Sequence, residues 1–299
     1  MKHVMSISLG SSKRNHRAEM NVFGDTFLLE RVGTDGDMKR MKSLFEENDG
    51  KVDAFGLGGF DLYLWYKNSR YIFKDAYQTI KTVKITPIAD GTGVKRTLEK
   101  LAIQYLNEKG YINPSMKVLI PSAISRYFLY SAFKELGYAV KWGDLAFALG
   151  LGKKAFSSQR LMDCLAYPLL PIMVRLPFSW LYPVGESQDK IVSNYNRMYE
   201  EADIIAGDFH YIFKHIPPDL TNKIIITNTL TADEIVILKE RNIKMIATTT
   251  PEFNGRSFAT NVIEAFACAM LQKKPDEISE ETFYDLFKKL DFKPRIIEN

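Results

Sequence analysis

The residues best suited to chemistry in this chain come directly after short apolar runs. Ser122 and Ser125 follow Met116–Ile120, Gly143-Asp144 follows Tyr138–Trp142, and Gly207-Asp208 with His210 follows Ala202–Ala206. Asn228-Thr229 follows Lys223–Thr227, and Thr248-Thr249-Thr250 closes the run Lys244–Ala247. Small polar residues at the ends of successive strands are what a ligand crevice beyond the carboxyl edge of a parallel sheet requires. Asp144 lies 23 residues past Pro121, near the offset at which a carboxylate meets the ribose 2′-hydroxyl of a dinucleotide. There it would favour NAD over NADP, because it repels a 2′-phosphate. The turn before the helix reads Pro121-Ser-Ala-Ile-Ser-Arg126, without the glycines of G-x-G-x-x-G. The hydroxyls of Ser122 and Ser125, the first helical N–H groups and Arg126 are the groups left to hold a phosphate. A phosphorylated or carboxylate ligand suits them as well as NAD or NADP does. His210 with Asp208 forms a candidate acid–base pair, with a hydrogen-bonded core histidine as the alternative. Arg256, near a helix start, suits a substrate carboxylate.

The elements that position these groups are legible from periodicity. Met116–Ile120, a helix over Ser125–Leu136 with Phe128, Leu129, Ala132, Phe133 and Leu136 on one face, and Tyr138–Trp142 form a β-α-β unit. Ala202–Ala206, Lys223–Thr227 and Lys244–Ala247 continue the strands, with a helix over Ala232–Arg241 before the last. Helices over Phe258–Leu271 and Ser279–Leu290 end the chain. Upstream, His3–Leu9, Phe27–Val32, Val52–Leu57 and Val83–Ile85 read as strands, and Gly10–Asn15 as a turn with a small claim to be an anion nest. Asp37–Glu47, Lys74–Ile80 and Val94–Glu108 read as helices, and Phe60–Tyr66 fits strand or helix equally. Gly110 and Asn113-Pro114 mark a boundary. The expected architecture is α/β: an N-terminal α/β domain over 1–112 for substrate and catalysis, and a Rossmann-like, doubly wound parallel-sheet domain over 113–299 with returning C-terminal helices. Pro171–Glu186 is proline-spaced and aromatic and is expected to form no regular element. It reads as a packed crossover or a homodimer contact, with a lid or apolar wall beside the crevice as the sharper reading.

Composition narrows the function classes. The 299 residues are 46% hydrophobic and 25% charged, enough for a proper core. A net charge of +4, dispersed along the chain, argues against nucleic acid as a partner. Cys164 and Cys268 fit neither a disulfide framework nor a metal site and read as buried thiols in a reducing compartment. With no signal-like start and no 18-residue stretch free of charge and proline, a cytoplasmic protein without a membrane span is expected, its partner a small-molecule ligand.

Asp90-Gly-Thr-Gly-Val94, with Leu98-Glu99 on the following helix, resembles the segment that joins the two domains of shikimate/quinate 5-dehydrogenases. The later order is similar too: Ala-Asp-Ile-Ile205, then Lys223-Ile-Ile-Ile-Thr-Asn-Thr229, then a C-terminal helix. The whole sequence looks like the clostridial-type group labelled quinate 5-dehydrogenase. The resemblance implies that Asp90 orients substrate hydroxyls beside a catalytic lysine. The family's lysine motif would fall near Gly56–Asp61, which holds no lysine, so Lys67 and Lys74 are the nearest candidates.

The leading reading is an NAD(P)-dependent oxidoreductase acting on a small hydroxy acid. The alternative keeps the fold without redox activity: a sensor or non-redox enzyme binding another nucleotide, an acidic metabolite or an acyl ligand. For the acyl case, Ala54–Phe60 is loosely similar to a segment of acyl-carrier-protein reductases, whose catalytic cysteine has no counterpart here.

Overall fold

The computed structural model describes residues 1–147, 159–177, 196–253 and 256–299. Its first sheet contains β1 (Lys2–Ser8), β2 (His16–Val22), β3 (Asp25–Gly33), β4 (Ala54–Gly58) and, after the separate β5–β6 hairpin (Tyr63–Tyr66 and Ser69–Ile72), β7 (Ile88–Ala89). The order is β2-β3-β1-β4-β7, parallel except for β2. Both faces of β1 and β4 are covered, so these strands are near-continuous apolar runs. Met5, Ile7, Phe55 and Leu57 point to one face, where α1 (Met38–Asn48) adds Met41 and Phe45. Val4, Phe27, Leu29 and Ala54 point to the other. No element is expected from the sequence over 16–22, where β2 forms. The strand alternates half-buried and exposed residues and turns back through Phe23-Gly24, both at positive φ, as a tight hairpin needs. The expected strand Val83–Ile85 is absent: the N–H groups of Lys84, Ile85 and Thr86 all donate to the Asp49 carboxylate, and pairing starts only at β7. Lys74–Ile80 is helix α2, as its spacing predicts.

The second sheet is assembled from β8 (Lys117–Ile120), β9 (Ala139–Trp142), β10 (Ile204–Ala206), β11 (Ile224–Thr227), β12 (Met245–Thr248) and, beyond the two-residue strands β13 (Glu252–Phe253) and β14 (Arg256–Ser257), β15 (Arg295–Glu298). Its order is β15-β12-β11-β10-β8-β9, all parallel but the last strand, which pairs antiparallel with β12. Ile120, Ile226 and Ala247 face one core, and Leu119, Ile225 and Ile246 face the other. Covered on both faces, this is the α/β parallel-sheet architecture expected from the sequence.

Helix α3 (Thr92–Glu108) runs from the first sheet to the second, where α4 (Tyr127–Glu135) and the short α5 (Asp144–Phe147) follow β8 and β9. Further on come α6 (Gln159–Met173), α7 (Asn196–Glu200), α8 (Phe209–Lys214) and α9 (Ala232–Glu240). The helix α6 continues through Pro168 and Pro171, which corrects the expectation of irregular chain from 171; residues 178–186 of that stretch lie outside the described ones. Helices α10 (Thr260–Leu271) and α11 (Glu280–Lys289) return to the first sheet, where Val262, Phe266 and Phe283 join Val4, Phe27 and Ala54 in one core. Among the described residues no helix is long and apolar enough to cross a membrane.

The return of α10 leaves no room at the start of α3. Gly91 has φ +89°, and a Cβ there would stand 2.5 Å from Thr260 Oγ1 and 2.6 Å from the Asn261 nitrogen. Gly91→Ala therefore combines backbone strain of about 1–3 kcal/mol with a clash against backbone. Urea denaturation should show a midpoint lowered by that amount or more.

Candidate functional site

Side chains of the loops after β4 and β8 meet α3. The loop after β4, Gly58-Gly-Phe-Asp61, brings Asp61 to Lys95 of α3, with Oδ1 and Nζ 2.5 Å apart. One turn further along α3, Glu99 accepts a hydrogen bond of 2.9 Å from Arg126, which stands just before α4. The same guanidinium donates to Asp208 at 2.8 Å. Asp208 is the N-cap of α8, its second oxygen accepting from the His210 N–H. Asp61, Lys95, Glu99, Arg126 and Asp208 thus form one charged chain between the two sheets. Glu99 and Arg126 are buried, whereas Asp61 and Asp208 keep 26% and 36% of their side chains exposed. These two carboxylates are the most solvent-exposed members of the charged chain.

The electrostatics follow from burial and pairing. Burial raises the Glu99 carboxyl above its ordinary range despite Arg126 and Lys95 beside it. Burial also opposes the charge on Asp208, but the Arg126 guanidinium and then His210 outweigh it and hold the carboxyl at about 2. Arg126 is pushed upward by Glu99 and Asp208 against the effect of its own burial.

The groups expected to hold a dinucleotide are engaged elsewhere. Asp144 is buried, and its two oxygens accept from the Ala123 and Ile124 N–H groups at 2.9 and 3.0 Å. A protein carboxylate thus takes the amides of the β8–α4 turn that a phosphate would need. Ser122 and Ser125 bond to each other at 2.7 Å. Arg126 serves Glu99 and Asp208 and is not a phosphate ligand at the turn. Asn228 accepts from Thr250 Oγ1 through its carbonyl and stands 3.4 Å from Thr249 Oγ1, and both threonines are buried in the sheet edge. Thr229 is half-buried on the turn before α9. Ser122, Ser125, Arg126, Asp144 and Asn228, expected to contact a cofactor, and Thr249 and Thr250, expected to contact a substrate, thus have protein partners in this structure. Asp208 stays at the crevice, but its partner is Arg126, and His210 meets it through the backbone N–H. Arg256 lies in the β13–β14 ladder, its side chain outside the described ones. The Gly10–Asn15 turn has its Ser12 N–H taken by Asp35.

The residues of the catalytic reading also have partners or places within the fold. Asp90 is buried, with Oδ2 accepting from the Leu62 and Tyr63 N–H groups and Thr92 Oγ1, and Oδ1 from the Thr92 N–H. It clamps the turn that leads into α3. Lys67 pairs with Asp163 at 2.8 Å on the β5–β6 turn, and Lys74 starts α2 on the exposed surface. The lysine that does interact with Asp90 is Lys95, which the sequence reading passed over, as it did Asp61 and Glu99. The signal for them was a Lys95–Glu99 pair at i, i+4 on an amphipathic helix next to the singled-out Asp-Gly-Thr-Gly segment.

A family model described as Domain of unknown function (DUF8754) matches residues 93–299, and one described as Domain of unknown function (DUF8753) matches residues 3–90. No curated protein matches the chain. Similar solved structures include a sugar ABC transport system substrate-binding protein from Bordetella parapertussis 12822, 9% identical over 100% of this chain and 90% of that one, with a TM-score of 0.39. A periplasmic ribose ABC transporter protein from Conexibacter woesei DSM 14684 is 10% identical over 96% and 94%, TM-score 0.39. A solute-binding protein from Burkholderia multivorans is 12% identical over 99% and 98%, TM-score 0.37. These are solute-binding proteins, not shikimate or quinate dehydrogenases. The family models that match are the two of unknown function, which corrects the resemblance to that family and the NAD(P)-linked oxidoreductase drawn from it; the neighbours' printed descriptions give no support to the cytoplasmic placing either. Likeness at these identities and TM-scores carries no ligand over to this chain.

Two outcomes follow from the buried charges. Arg126→Met leaves Glu99 without its partner and should cost about 3–5 kcal/mol in urea denaturation. Glu264 of α10 accepts from the Gly91 and Gly93 N–H groups, yet burial and then the charge on Asp90 raise its carboxyl to about 8. The native state holds this proton more tightly than the unfolded chain. Its stabilisation is complete below the ordinary glutamate value and is lost as pH rises through about 8. The melting temperature should fall between about pH 5 and about pH 9. Glu264→Gln should remove the part of that fall centred near pH 8 and leave what comes from the other buried acids, Asp144, raised by burial to about 6, and Asp90 and Glu99, both raised by burial.

Proposed function

We propose, for a chain that belongs to the family described as Domain of unknown function (DUF8754), that the crevice between its two sheets binds a small polar molecule without redox chemistry. The observation that carries this reading is the pair of partly exposed carboxylates, Asp61 and Asp208, each held by a cation from the protein interior. Such groups are preorganised acceptors, and an acceptor fixed before the ligand arrives binds without an added ordering cost. The filled amides of the β8–α4 turn support the absence of a dinucleotide. A nucleotide would also bring its phosphates toward Asp61, Glu99 and Asp208, where like charges repel.

A thermal-shift screen of small polar metabolites on the purified chain tests the reading. At least one metabolite should raise the melting temperature, and the double variant Asp61→Asn/Asp208→Asn should lose that shift while melting cooperatively. NAD, NADH, NADP and NADPH should give none. A shift by a nicotinamide cofactor that survives in the double variant would sink the proposal.

A further inference from the structure

We infer that the loop after β1 binds a small dicarboxylate, one carboxylate on the guanidinium of Arg31 and the other on that of Arg14. The loop uses neither Asp61 nor Asp208, so its binding is independent of the crevice. Arg31 of β3 is the starting point. Two of its five N–H groups donate to neutral acceptors, the Ser11 carbonyl at 3.0 Å and the Ser8 hydroxyl at 3.1 Å. Among the described residues no carboxylate is paired with it. Arg14 is drawn to the same point, since its backbone N–H also donates to the Ser11 carbonyl, at 3.3 Å. Burial and then the charge of Arg14 lower the Arg31 guanidinium from its ordinary value, and Asp35 offsets only part of this. Two guanidiniums brought together with no anion bridging them repel, and a dianion that spans them removes the repulsion.

The local charge favours an anion. The loop 11–15 and the segment 31–40 that anchors it carry Lys13, Arg14, Arg31, Lys39 and Arg40. The carboxylates there are Asp35 and Asp37, with Glu234 of α9 at 3.5 Å from Arg14. Cations exceed them by two, which is the charge of a dicarboxylate. Asp37 is engaged in capping α1, and Asp35 accepts from the Ser12 N–H. Glu234 holds the Thr231 N–H in the cap of α9, and its contact with Arg14 is at the limit of a hydrogen bond. Arg31 is half-buried, while Ser11, Lys13, Arg14 and Asp35 around it are exposed. The site therefore lies on the open surface and needs no cavity.

The donors left free select a carboxylate over a phosphate. A phosphate has further oxygens to satisfy and takes backbone amides for them. Here the amides of the loop are occupied: Gly10 N–H by Ser8 Oγ, Ser12 N–H by Asp35, Lys13 N–H by Ser11 Oγ, and those of Arg14 and Asn15 by the Ser11 and Ser12 carbonyls. The planar fork of a guanidinium remains, and it matches the two oxygens of a carboxylate. The loop is also held in place. The N–H groups of Thr34, Asp35 and Gly36 donate to the Ser8, Gly10 and Leu9 carbonyls, and the Gly33 N–H donates to Asn15 Oδ1 at 2.6 Å. Donors anchored before the ligand arrives bind with little added ordering cost.

Isothermal titration calorimetry on the full chain tests this, with malonate, succinate, glutarate, acetate and inorganic phosphate as probes. Saturable binding of at least one dicarboxylate is expected, at least tenfold tighter than acetate or phosphate. Arg14→Gln and Arg31→Gln should each weaken it at least tenfold. Arg31→Lys, which keeps the charge and loses the fork, should do the same. Lys39→Gln removes an equal charge and should weaken it less than threefold. Raising the salt from about 50 to about 300 mM should weaken it severalfold, because exposed charges are screened. Circular dichroism of each variant confirms that it folds, and Arg14→Gln removes only an exposed contact. Binding of no dicarboxylate, phosphate bound as tightly as the best dicarboxylate, or binding that survives both glutamine variants would overturn the inference. Equal weakening by Lys39→Gln and by the arginine variants would overturn it too, since general charge attraction then accounts for the binding.

Discussion

The guanidinium of Arg126 between Glu99 and Asp208 is the contact on which the crevice depends. It joins three helices that belong to different parts of the chain: α3, which passes from the first sheet to the second, α4 after β8, and α8 after β10. Moving a charge out of water costs several kcal/mol per ion unless its hydrogen-bonding capacity is met. Arg126 and Glu99 are both buried, so each tolerates its position only through the other. The requirement fixes where α4 and α8 stand relative to α3. It fixes Asp61 too, because Lys95 sits one turn from Glu99 on the same helix.

A second constraint recurs around this joint. Carboxylates repeatedly bind the free amides of turns: Asp49 those of Lys84 to Thr86, Asp90 those of Leu62, Tyr63 and Thr92, Asp144 those of Ala123 and Ile124, and Glu264 those of Gly91 and Gly93. An unpaired buried amide costs about 1–3 kcal/mol, and a carboxyl oxygen placed against it removes that cost. The same solution explains a missing sequence feature. Glycines at 121–126 would be needed for a pyrophosphate to approach the backbone, but Asp144 approaches instead, and its own chain positions it. Ala123 fits there with no exposed surface.

The parallel strands were legible because burial on both faces writes them as short continuous apolar runs, visible without knowing the fold. The antiparallel edge strands were not. β2 carries charged residues on its outer face, and β15 is four residues of mixed character whose pairing with β12 is decided by chain far away in sequence. The site was legible in part. Arg126 and Asp208 drew attention as polar residues after strands. Asp61, Lys95 and Glu99 did not draw attention, because a charge on a loop or helix reads as solvated until its partner is known. Their partners are tertiary: 34 residues separate Asp61 from Lys95, 27 separate Glu99 from Arg126, and 82 separate Arg126 from Asp208.

The Asp-Gly-Thr-Gly segment shows why a short motif misled. Each of its letters has a packing reason in this chain. Asp90 closes the β4–β5 loop onto the start of α3, Gly91 takes a positive φ under Thr260 and Asn261, and Gly93 leaves the space that the Glu264 carboxylate fills. A sequence that must begin a helix against a returning helix, with a buried acid at each side, converges on small residues after an aspartate whatever reaction, if any, takes place nearby. The motif therefore identifies a joint between a sheet and the helix that leaves it. Hydride chemistry needs in addition a base beside that aspartate and an open anion site at the next turn. Here the aspartate is saturated by backbone amides and the turn is closed by Asp144, so the chemistry of the crevice falls to the ion pairs beside the motif.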